Sequence, residues 1–177
     1  MDGRRVVTGF AYPGDIMGVG VGPHQRNAEA VQCCKLEPMT MANFQSAIAS
    51  DAAFSDSVQA QSSRELTSSY EHLMVLTKMT ASERLAHFLT GLSKRNRRLG
   101  YSPNSVLIPM RRVDIADYLG LTVETISRTF TTFKTNGLIG MEDPCVVFLV
   151  NLERLAALAR GACDEEGSVS VCRKMAA

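Results

Sequence analysis

Residues 111–138, RRVDIADYLGLTVETISRTFTTFKTNGL, leave this chain few ways to fold. At helical spacing the stretch divides into two short helices joined by a tight turn. Ile115, Ala116 and Leu119 share one face of the first, and Gly120 supplies the turn. Thr122 stands where an N-cap hydroxyl belongs, and Glu124 falls in the first turn, where a carboxylate suits the helix dipole. In the second helix Val123, Ile126, Phe130 and Phe133 form an apolar stripe. Glu124, Ser127, Arg128 and Thr131 line the opposite side. Such a front has the chemistry of a major-groove reader: an Arg for guanine, a carboxylate for the cytosine amino group, short side chains elsewhere. An amphipathic hairpin with a merely solvated polar face shows the same periodicity.

The residues themselves say more. DIADYLGLTVETISRTF closely resembles the helix-turn-helix of the Crp/Fnr family of bacterial transcription regulators. The run V-E-x-x-S-R (Val123, Glu124, Ser127, Arg128) is similar to the recognition signature of the Fnr and FixK branches, whereas the Crp branch tends to carry an Arg where Val123 stands. The resemblance implies a DNA-binding regulator whose half-sites are TTGAT-like. Base edges would be read by Glu124, Ser127 and Arg128. Phosphates would be met by Arg111, Arg112, Thr122, Thr131 and Lys134, with helix N-termini assisting.

Bulk charge is nearly balanced, 19 Lys and Arg against 18 Asp and Glu, so composition alone does not announce a nucleic-acid partner. Its distribution does. Between Lys94 and Lys134 stand eight basic residues and three acids (Asp114, Asp117 and Glu124), in a chain whose net charge is only +1. Five cysteines (Cys33, Cys34, Cys145, Cys163, Cys172) show no CxxC pairing, and their odd number argues against a disulfide scaffold. No apolar run would span a bilayer and the N-terminus lacks a signal-peptide core, so a soluble, cytoplasmic protein with no membrane association is expected.

Read in order, residues 5–12 (RVVTGFAY) carry strand-type residues before the turn signal Pro13-Gly14-Asp15, and residues 28–39 form a second strand candidate. Residues 41–79 read as helix: a short piece over 42–49, then a longer one beginning near Phe54 or Ser55. In the longer piece Leu66, Leu73 and Leu76 follow heptad-like spacing. Thr80-Ala81-Ser82-Glu83 fits a capping box, opening a helix whose face is Leu85, Phe88, Leu89 and Leu92 and which ends in KRNRR. Residues 106–109 form a short extended piece. After Gly137, two β runs flank Asp143-Pro144 as a hairpin placed where a wing belongs, and Asn151 caps a last helix over 152–160. From residue 161 no periodicity survives, and a disordered tail is expected.

In the family, sequences similar to DGRRVVTGFAYPGDIMGV (residues 2–19) and AEAVQCCKLEPMTMANF (residues 28–44) form the later strands of a β-roll sensor domain, preceded by several more. The chain is therefore expected to be N-terminally truncated, by genuine loss, a misplaced start codon or an incomplete gene. The long helix is, by the same resemblance, the element on which two subunits dimerise. Fnr-type iron–sulfur ligation is not expected, because the N-terminal cysteine region is absent, the later ligand position falls near Glu37, and Cys33-Cys34 alone cannot supply four thiolates. The Crp-type cyclic AMP residues correspond to Gly14-Asp15 and Arg26-Asn27, where Asp replaces Glu and Asn replaces Ser. FixK-type members need neither ligand, so no cofactor is expected.

The fold class read from the sequence is thus α+β. Residues 1–50 form a truncated, cyclic-nucleotide-binding-like β-roll remnant, 51–79 a long dimerisation helix, 80–160 a winged helix-turn-helix and 161–177 a tail. The expected partners are double-stranded DNA, a second copy of the chain (through Leu66, Leu73 and Leu76) and RNA polymerase. A winged helix used for protein contact, or a non-functional truncated regulator, is the alternative. No enzyme is expected: there is no Ser/His/Asp set, Gly-rich phosphate loop or HExxH, and His24, His72 and His87 lack metal-ligand spacing.

Overall fold

The computed structural model describes residues 5–19 and 26–161. The expected tail beyond Gly161, and His24, lie outside the described residues. Among those described are six helices, α1 (Met41–Ser50), α2 (Ala52–Lys78), α3 (Ala81–Arg98), α4 (Arg112–Leu119), α5 (Val123–Thr135) and α6 (Leu152–Leu158). Three strands, β1 (Ser105–Leu107), β2 (Ile139–Asp143) and β3 (Val146–Leu149), form one antiparallel sheet of order β1-β3-β2. The chain is α+β, and it divides into two compact units. One comprises the described residues up to Lys78 with Pro109–Gly120; the other comprises Met79–Ile108 with the described residues from Leu121 onward.

In the second unit, α3 packs against α6, α5 and β1. It starts where the capping box stands: the Thr80 hydroxyl accepts from the Glu83 N–H at 3.4 Å, and the Glu83 carboxylate accepts from the Thr80 N–H at 2.6 Å. All four expected face residues, Leu85, Phe88, Leu89 and Leu92, are buried. At its far end Asn96 donates to the carbonyls of Ser102 and Ser105, at 3.2 and 2.8 Å, which fixes the loop leading into β1. The hairpin forms around Asp143-Pro144 as expected, with the Cys145 N–H donating to the Asp143 carboxylate at 2.7 Å in an Asx-type turn. Sequence pattern did not place β1 in this sheet, yet Val106 pairs with Val147 and both are fully buried. Asn151 caps α6 by accepting from the Arg154 N–H at 3.0 Å, and the helix stops at Leu158, two residues before the expected end.

In the first unit, the strands expected at 5–12 and 28–39 are not formed among the described residues. Val and Thr alternation gives β propensity, but a strand also needs a neighbour for its N–H and C=O groups, and neither segment has a ladder partner. The first segment is held by side chains instead. Gln61 of α2 accepts from the Ile16 N–H at 3.2 Å and donates to the Ile16 carbonyl at 2.9 Å. A second correction concerns the start of α2, which begins at Ala52 rather than near Phe54. Asp51 ends α1 and also caps α2, its carboxylate accepting from the Phe54 N–H at 3.1 Å.

Helix α2 is apolar on two sides. Val58 and Val75 are buried, whereas Leu66, Tyr70, Leu73 and Met74 all lie exposed. These four follow i, i+4, i+7, i+8 spacing, so they form one stripe. Leu76, expected on the same seam as Leu66 and Leu73, is half-buried beside Val75, because a step of three residues from Leu73 turns it toward the inner face. Among the described residues no helix is long and apolar enough to cross a membrane.

Candidate nucleic-acid interface

The geometry begins at the turn between α4 and α5. Gly120 adopts φ +62°, a left-handed conformation that an L side chain rarely takes, and it caps α4. Two residues later the Thr122 hydroxyl accepts from the Thr125 N–H at 3.2 Å and opens α5. The back of α5 is buried at Ile126, Phe130 and Phe133. Val123, placed on the same stripe by spacing, is 37% exposed, because the first residue of the helix overhangs the core. Thr129 takes a buried place that pattern alone did not assign. Its hydroxyl donates to the Thr125 carbonyl at 2.7 Å, so the side chain enters the core with its polar atom satisfied.

Every residue of the expected front is exposed: Glu124, Ser127, Arg128, Thr131 and, in the last turn, Lys134. The Glu124 carboxyl is held below the usual carboxylate range. The main cause is a hydrogen bond from its own backbone N–H; the Thr122 hydroxyl and the Arg128 charge one turn away add to it, against a small burial penalty. Glu124 is therefore an ionised acceptor fixed at a helix N-terminus. Ser127 and Arg128 stand on the same side, presenting a hydroxyl and a forked donor. Thr131 donates its proton to the Ser127 carbonyl at 3.0 Å, which leaves its oxygen as an acceptor. The Thr122 hydroxyl is also engaged, 3.0 Å from that of Thr125.

The two arginines at the start of α4 differ in placement. Arg112 is half-buried and engaged within the molecule. Arg111 has an exposed side chain, but its Nε lies 3.2 Å from Asp114 Oδ2. The Asp114 side chain is 2% exposed, and it accepts the Arg111 backbone N–H at 3.1 Å and an Arg5 guanidinium hydrogen at 2.8 Å. Burial opposes its ionisation, but the hydrogen bonds from Arg111 and Arg5 outweigh that and hold the carboxyl below its usual value. Sequence reasoning missed this group, although an acid in the first turn of a helix is a start signal. Farther along α4, Tyr118 is stacked on His72 of α2, with centroids 4.1 Å apart, and meets Phe10 edge-on at 5.2 Å. Burial raises the Tyr118 hydroxyl above its ordinary value.

A depressed carboxylate sets a direction for stability against pH. Asp114 contributes above the unfolded carboxylate value, and the contribution is lost as pH falls through the lower folded value. Asp114→Asn is expected to cost about 1–3 kcal/mol at neutral pH, by removing the negative charge and one of the two acceptor oxygens that Arg5 and Arg111 share. Urea unfolding of both proteins should show the gap closing as pH drops below about 4. A gap that stays constant down to the acid transition would contradict this.

Of the remaining candidates, Asp15 is a turn residue that accepts from the Tyr12 N–H at 2.9 Å, Arg26 and Asn27 are exposed, and Cys33, Cys34 and Cys145 are exposed free thiols.

A capped helix pair joined through a left-handed glycine and followed by a β hairpin is the element order of the winged helix-turn-helix class. The model of the Crp-like helix-turn-helix domain matches residues 83–158. The chain is 38% identical over 159 residues to the nitrogen fixation regulation protein FixK of Bradyrhizobium diazoefficiens, covering 88% of this chain and 67% of that protein. It is 33% identical over 165 residues to the transcriptional activator protein Anr of Pseudomonas protegens, covering 92% and 67%. Among solved structures, FixK2 from Bradyrhizobium japonicum aligns with a TM-score of 0.58 at 34% identity, over 66% of this chain and 57% of that one. The CooA mutant from Carboxydothermus hydrogenoformans reaches the same TM-score at 22% identity, over 67% and 55%, a likeness of fold alone. The chain belongs to the Crp/Fnr family of transcription regulators, on its FixK/Fnr side. Family members are transcription factors and not enzymes. The chain spans about two thirds of the length of the curated relatives it matches.

Proposed function

We propose that this chain is a cytoplasmic, sequence-specific regulator of transcription that binds double-stranded DNA as a homodimer, with α5 as the recognition helix. The observation that carries the reading is the exposed front of α5, where Glu124, Ser127 and Arg128 lie on one side of a helix whose opposite side is core. Arg128 presents two parallel donors suited to guanine O6 and N7, and Glu124 an ionised acceptor suited to the cytosine amino group. Lys134 and Arg111 would meet phosphates. The exposed stripe of α2 supports pairing of two chains, and a two-fold would set two recognition helices roughly 34 Å apart, on successive major grooves. The target is then an inverted repeat, with TTGAT-like half-sites by family resemblance. By family resemblance residues 1–50 correspond to the later part of a β-roll sensor, although no strand forms there among the described residues. Contact with RNA polymerase would follow from regulation, and no cofactor is assigned.

The test is fluorescence anisotropy with an inverted-repeat duplex and a scrambled duplex, at two salt concentrations. Affinity should fall steeply with salt on both duplexes, with the inverted repeat bound at least about a thousandfold more tightly. Equal binding to the two would overturn sequence recognition. Binding to neither would point to a winged helix used for protein contact.

A further inference from the structure

Two guanidinium groups converge on one buried carboxylate in the first unit. Arg5 Nη1 lies 2.8 Å from Asp114 Oδ1 and 3.6 Å from Asp117. Arg111 reaches the same Oδ1 at 3.4 Å and the other oxygen, through Nε, at 3.2 Å. Arg5 therefore makes the shorter contact, although it comes from 109 residues away along the chain. It does not arrive alone. Its second nitrogen holds Glu29 at 3.0 Å, Phe10 meets Tyr118, and Ile16 exchanges two hydrogen bonds with Gln61. Residues 5–16 thus form a strap anchored at both ends, one end on α4 and the other on α2. The Arg111 side chain, by contrast, is 71% exposed while that of Asp114 is 2% exposed. Its two-point contact with Asp114, at 3.2 and 3.4 Å, is longer than a tight Arg–carboxylate fork.

We propose that Arg5 is a positioning residue for Arg111: by supplying Asp114 with a charge partner from the strap, it leaves the Arg111 guanidinium available to a DNA phosphate. The inference rests on the DNA-binding reading above. If the strap releases α4, Asp114 has only Arg111 to neutralise it, closes on that guanidinium, and withdraws one cation from the interface. Docking of the strap then sets affinity without touching base preference, because phosphate contacts carry no sequence information.

The experiment measures binding of the full chain to the inverted-repeat and scrambled duplexes across a salt series, for wild type, Arg5→Ala, Arg111→Ala and the double variant. Each single variant should weaken binding to both duplexes and flatten the salt dependence by about one charge per chain. The double variant should bind like Arg111→Ala, since Arg5 acts through Arg111. Additive losses, or an Arg5→Ala slope equal to wild type, overturn the inference; so does an Arg111→Ala slope equal to wild type, because no phosphate contact is then left to position. Should Arg5→Ala unfold at the assay temperature, Arg5→Gln replaces it, keeping a donor for Asp114 without the charge, with the same expectation. Failure of the wild type to bind either duplex defeats the DNA-binding reading itself. That outcome is distinct from every one in which only the positioning role fails.

Discussion

Replacing Arg128 by alanine is expected to cost about 1–3 kcal/mol of binding per half-site and to relax preference at a single base pair. The expectation comes from where the residue sits. Arg128 is exposed on α5 one turn beyond Glu124, on a helix whose N-terminus is fixed by Thr122 and whose back is locked by Ile126, Phe130 and Phe133. Because it lies in the solvated front, its removal should leave the melting temperature within a degree or two of wild type. The companion variant Lys134→Ala removes an exposed charge from the last turn, and it should weaken all sequences alike while reducing the salt slope. Affinity measured over every single-base substitution of one half-site separates these signatures. A uniform loss on all probes for Arg128→Ala would remove the recognition role from this helix.

The second large effect is expected at Leu73→Glu. Leu73 is 59% exposed and sits midway along the stripe Leu66, Tyr70, Leu73, Met74. A carboxylate there stays largely in solvent in the single chain, but it would have to be desolvated where two such stripes meet. The variant should sediment as a folded monomer, and its affinity for the inverted repeat should drop by about 10²–10⁴, the gain that linking two half-site contacts provides. A Leu73→Glu protein that remains dimeric, or a wild type already monomeric at high concentration, would place the pairing surface elsewhere.

How much of this was readable in the residues depended on distance along the chain. Features closed within one helical turn were legible: the Thr80–Glu83 box, the Thr122 and Asn151 caps, the Gly120 turn, and the apolar face of α3. Each needs only neighbours three or four positions away. The hairpin at Asp143-Pro144 was legible for the same reason. What the residues did not reveal depends on partners far off. Residues 5–12 have the composition of a strand and no ladder to join. The pairing of Arg5 with Asp114 spans most of the chain, and neither residue marks the other. Tyr70 and Met74 join the stripe through i+4 steps that the polar run around Leu66 hides, and Leu76, which heptad spacing puts on the seam, is half-buried in the single chain. Thr129 shows a further limit. A β-branched hydroxyl that bonds its own helix can serve as a core residue, and no hydropathy pattern marks it.

The register of the small sheet carries a consequence for the order in which the chain assembles. β2 and β3 are joined by a tight turn, so they can zip together on the timescale of an isolated hairpin, within microseconds. β1 pairs with β3 across about forty residues, and α4 and α5 both fall within that closed loop of sequence. The long closure has an entropic cost that is recovered only once the sheet and α3 are in place to receive Val106. A nascent chain emerging from its N-terminus therefore makes β1 early and uses it late. The sheet can be completed only after α4 and α5 have themselves been synthesised.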